Sequence, residues 1–113
     1  MHDLVKRLSE GQHSVEATLR PDRTVKALKE CLDRNYVHIK FTKTQGGTEL
    51  GVPVDRQRSD VSEADFENGT GRVLIVGELT LDFVRVRCVA RIDLASLQGE
   101  GHLEVVEQSI ESS

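Results

Sequence analysis

Four histidines, two cysteines, one acidic loop and a set of arginines are the side chains of this chain with reactive or ligating chemistry. Structural zinc needs Cys or His ligands at close spacing. His2, His13, His38 and His102 are scattered, and Cys31 and Cys88 are far apart, so the sequence assigns no metal residue. His38 is the histidine to watch, since a carboxylate such as Glu78 or Glu104 across a sheet would bring its titration near neutral pH. Asp60, Glu63, Asp65 and Glu67 offer oxygens to a hard cation. Their spacing lacks the central glycine and terminal glutamate of a calcium loop. Asn68-Gly69-Thr70 has the glycosylation pattern, which is idle without a secretory route.

Gln45-Gly46-Gly47-Thr48, flanked by Lys40 and Lys43, could cradle a phosphate through backbone N–H groups. A hairpin turn explains the same glycines. No P-loop, dinucleotide-binding or nucleophile-elbow pattern occurs. Cysteine nucleophiles need exposure and a lowered pKa, whereas Cys31 and Cys88 both fall on apolar faces. Arg72, Arg85, Arg87 and Arg91 could form a basic stripe for nucleic acid. Single-strand binding also wants aromatic platforms, and only Tyr36 offers one. Glu78 and Glu104 are placed to neutralise that stripe. The sequence therefore assigns no catalytic residue, no cofactor-binding residue and no nucleic-acid partner.

These side chains hang on a pattern of strands. From Arg72 to Glu107 apolar residues recur at every second position, the period of a strand with one face on a core. Val73, Ile75, Gly77, Leu79 and Leu81 form one series. Val84, Val86, Cys88, Ala90, Ile92 and Leu94 form a second, and Leu103 and Val105 begin a third. Strands so close in sequence must pair antiparallel. Upstream, residues 2–9 read as a short helix with Leu4, Val5 and Leu8 on one side, and His13–Leu19 as a strand. A main helix follows, started by Pro21 with Asp22 or Thr24 as N-cap and closed by Asn35. Its Leu28 and Leu32 are expected to meet the strand carrying Val86 and Cys88. Tyr36–Thr44 and Thr48–Val54 are further strands, the second with Pro53 at an edge or strand end.

The segment 55–71 breaks the pattern. It carries seven charged side chains between Asp55 and Glu67 and one aromatic, Phe66. It reads as a long mobile loop, with one or two helical turns over Asp60–Phe66. Residues 108–113 read as a frayed tail.

At 113 residues the chain is read as a single domain, 1–113, with an aliphatic core. No apolar run is long enough to span a bilayer, and no secretory leader pattern is present. The expected location is cytoplasmic, with both cysteines reduced. Charge is uneven: residues 1–47 hold nine Lys or Arg against six Asp or Glu, and residues 48–113 hold six against thirteen. A solvated helix face accounts for the lysines.

The expected fold class is α+β, one main helix packed on a curved antiparallel β-meander (β-α-β-β-loop-β-β-β) with a short N-terminal helix. On the face opposite the core, Leu74, Val76, Val89 and Val106 interrupt the polar phase, and a half-solvated sheet should alternate cleanly. They are expected to be covered by the N-terminal helix or by a second subunit. The function expected is that of a small, non-enzymatic protein-interaction or accessory domain, with a homodimer as one form. The alternative is a ligand-binding or enzymatic domain with an apolar cavity between helix and sheet.

Overall fold

The computed structural model describes residues 3–19, 24–44, 47–81 and 84–108. His2, the Pro21-Asp22 helix start, the Gln45-Gly46 turn and the tail 109–113 lie outside the described residues, as does the side chain of Leu4.

Helix α1 (Asp3–Ser9) leads into β1 (His13–Thr18), and α2 (Val25–Asp33) into β2 (Tyr36–Phe41) and β3 (Thr48–Pro53). Then come β4 (Ala64–Asp65), β5 (Thr70–Leu81), β6 (Val84–Asp93) and β7 (Gln98–Gln108). All seven strands lie in one antiparallel sheet, in the order β3-β2-β1-β7-β6-β5-β4. The local signals explain the elements. Val5 and Leu8, three apart, are wholly buried, and Gly11 in the left-handed region (φ 72°) ends the first helical segment. Thr24 caps α2 by accepting the Ala27 N–H at 3.1 Å. Asn35 turns the chain out of α2 at φ 61°. Val37, Ile39 and Phe41 alternate inward along β2.

The fold class differs from the expected one. Among the described residues the body is a seven-stranded sheet with two short helices of 7 and 9 residues, not a main helix lying across a meander. Two hairpin systems, β2-β3 and β5-β6-β7, are joined because β1 sits between β2 and β7. That pairing links His13–Glu16 to Gln98–Gly101, far apart in sequence, and no local pattern specifies it. The curled sheet buries its own inner face, so it needs little helix. α2 packs chiefly on β2 rather than on β6. Leu28 is fully buried, whereas Leu32 is half-buried against the core. α1 packs against β7, and its Val5 and Leu8 join the same core cluster as the inner sheet face. It therefore plugs the inside rather than covering the outer face.

Curling brings the end of β3 to β5. The Asp55 N–H donates to the Val76 carbonyl at 2.8 Å. At Gly77 a Cβ would collide with the Pro53 carbonyl oxygen and with Val52. The outermost strand β3 ends in an exposed proline, as its edge position allows.

The segment 55–71 is anchored along β5. Asp60 and Leu74 exchange two backbone bonds, at 2.8 and 2.9 Å. Ser59 Oγ accepts the Val76 N–H at 2.9 Å and donates to the Val76 carbonyl at 3.2 Å. Ala64 and Asp65 pair with Gly71 and Thr70. The expected helical turns over Asp60–Phe66 are absent; β4 stands there instead. The physical reason lies on β5, whose outer edge would otherwise present unpaired backbone groups.

Candidate functional site

The outer face of β5, β6 and β7 carries most of the ordered polar chemistry. Side chains that point away from the core stand in cross-strand rows. Glu78, Arg87 and Glu104 share one row, Val76, Val89 and His102 the next, and Leu74, Arg91 and Glu100 the one after. The first row is tied by ion pairs. Arg87 donates Nη2 to Glu78 Oε2 and Nη1 to Glu104 Oε1, each at 3.2 Å. Arg85 Nε reaches Glu78 Oε1 at 3.4 Å. Glu104 Oε2 lies 3.1 Å from His102 Nε2, and His102 Nδ1 lies 3.2 Å from Gln12 Nε2. A neutral imidazole with its proton on Nε2 satisfies both contacts. The result is one chain of polar contacts from Arg85 to Gln12, across three strands and onto the α1–β1 connection.

The electrostatics follow from these contacts. The His102 hydrogen bond, followed by Arg87, holds the Glu104 carboxyl below its ordinary range. The Glu104 hydrogen bond and the pairing with Glu78 raise the Arg87 guanidinium. Glu104 is charged more readily when folded, so its contribution is complete above the ordinary glutamate range, about pH 4.3. It is lost as pH falls through the lowered folded value. Glu104→Gln should lower stability at pH 7 by under about 1 kcal/mol, the worth of an exposed pair. The gap to wild type in urea midpoint should close in acid below that range. A gap that persists unchanged there would mean that Glu104 makes no folded-state pair.

The four outward residues singled out from sequence have separate fates. Val76 is buried, 5 % exposed, and lies outside the core cluster, with its backbone bonded to Asp55 and Ser59. Leu74 and Val89 are half-buried. Val106 is 42 % exposed near the end of β7. Val105, expected inward, is 37 % exposed at the same end. By register Val76 stands opposite Val89 with Leu74 beside it on the same face, while Val106 lies apart, near the end of β7. Leu74 and Val89 also border the charged rows.

Other candidates resolve as follows. The histidine that meets Glu104 is His102; His38 stands on β2 and packs edge-on to Tyr36, with ring centres 5.3 Å apart. His102 and Glu104 stand two residues apart on β7, so the period of two already sets them on one face; only the pairing of β1 with β7 adds Gln12 to them. Arg85 and Arg87 are neutralised by Glu78 and Glu104. Arg72 and Arg91 form no ion pair among the described residues and border a depression of about 370 Å3 with Val89 and His102. Both cysteines are free. Burial pushes the Cys88 thiol up to about 12, which leaves it un-ionised and inert.

The aspartates of the 55–71 segment serve its turns. The Asp60 carboxylate accepts the Ser62 N–H at 2.8 Å, and Asp65 accepts the Asn68 N–H and side-chain amide at 3.1 and 2.7 Å. These bonds hold both carboxyls below their ordinary values. Among the described residues no group of three or more His, Cys, Asp or Glu is placed to hold a metal ion. No helix there is long and apolar enough to cross a membrane. Compared with known proteins, the sequence matches no family model and none of the curated proteins.

Proposed function

We propose that the chain is a protein-interaction domain whose docking surface is the outer face of β5, β6 and β7. The observation that carries this reading is the fixed row of charges from Arg85 to His102, bordered by Leu74 and Val89 and by the exposed Val106. Rigid charges beside apolar side chains select a partner by complementary sign while burial supplies affinity. A second copy of this chain is the first partner to test, because each sign present on the face finds its opposite on the same face. The reading involves no catalytic step. It places the protein in the cytoplasm, where both thiols stay reduced.

Sedimentation velocity over a wide concentration range tests it. The wild type should self-associate, and Val106→Lys should return it to monomer, since a charge buried in an interface is costly. Val106 is exposed in the single chain, so at a dilution where both proteins are monomeric the variant should keep its melting temperature. Val76 is the wrong probe, because its burial within the monomer would confuse interface with fold. A wild type that stays monomeric at millimolar concentration would sink the dimer.

A further inference from the structure

A groove of about 280 Å3 runs between α2 and the segment that follows β3. Its floor is apolar: Leu32, Val54 and Phe66 are half-buried against the core. Val61, 46 % exposed, forms a lip. Arg56 ties the two walls together. Its guanidinium donates to the carbonyls of Leu32 and Asp33, each at 3.2 Å, and to the side chain of Asn35. A cation there also suits the negative end of a helix. Gly69 lies beside the start of α2, with room for an added Cβ at ordinary contact distance, 3.5 Å, from Val25. A groove held in this way exists before any ligand arrives, which lowers the ordering cost of binding.

The rim decides the sign of the occupant. Lys29 and Asp33 form an exposed ion pair at 3.3 Å. Arg56 spends Nε and Nη2 on α2 and its cap, and Nη1 has no acceptor among the described residues. Two cations against one carboxylate favour an anionic head. The volume lies just under the roughly 300 Å3 where pockets for drug-sized ligands begin, so the occupant is small.

We propose that this groove binds a small amphipathic carboxylate, its short apolar tail on Leu32, Val54 and Phe66 and its head at Lys29 and Arg56. The site is separate from the sheet face and does not depend on the interaction reading. Sodium octanoate, titrated into the isotope-labelled full chain and followed by amide NMR, is the probe. Saturable shifts confined to residues 29–35, 54–61 and 66 are expected. Val61→Asp should weaken binding by about tenfold or more by setting a like charge beside the ligand. Its exposed position makes loss of fold no explanation, and an unchanged melting temperature would confirm that. Octylammonium, with the same tail and opposite charge, should bind at least about tenfold more weakly. Scattered or non-saturating shifts, equal binding of octylammonium, or unchanged affinity in Val61→Asp would each overturn the assignment.

Discussion

Gly77→Ala should destabilise the protein by about 3 kcal/mol, the upper part of the usual range for overpacking. The added methyl would meet the Pro53 carbonyl oxygen and Val52. A long side chain could swing away; a backbone carbonyl at the end of β3 cannot. Relief would require moving β3 away from β5, which breaks the Asp55–Val76 bond and exposes Val52, now fully buried. The measurement is a urea melt, with a lower midpoint and an unchanged slope. A loss below about 0.5 kcal/mol would show that β3 and β5 do not close on one another at this point. The glycine is legible in the sequence only as one more place in an alternating series. That it marks a crossing of two strands depends on how far the sheet curls.

The second large effect separates two leucines on α2. Leu28→Ala should cost about 2–5 kcal/mol, as for other fully buried leucines, because Leu28 has no exposed surface and belongs to the core cluster. Leu32→Ala should cost less than half as much, because Leu32 is half-buried and already borders an open groove. The sequence ranks the two alike, one helical turn apart on the same stripe. The ranking arises because α2 meets β2 and the segment after β3 instead of lying over the centre of the sheet. Equal losses in paired denaturant melts would mean that α2 is rotated toward the sheet.

The outer face shows the same division. Charge alternation along β5 and β6 already implied cross-strand Arg–Glu pairs, and Arg85, Arg87, Glu78 and Glu104 form them. Such pairs sit on neighbouring strands of a hairpin, where register follows from a short turn and a period of two. Gln12 and His102 meet only because β1 joins β7 at Gly101, so their contact lay beyond any local pattern. The alternation sets Val76 outward, under cover from the N-terminal helix or a second subunit. The structure buries it instead beside the segment 55–60, which lies along the edge of β5.

The sequence by itself determined every strand but β4, the end of α2 and the inward series of β2, β5 and β6, because each follows from side-chain alternation, capping and positive φ over a few residues. It also determined that both cysteines would stand on apolar faces. Only the tertiary structure decided the strand order, the closure of β3 on β5 and the placing of both helices. It alone decided that the acidic segment covers an edge and walls a groove. These depend on pairings between distant residues, whose free energy comes from burying whole faces together and leaves no periodic trace in the chain.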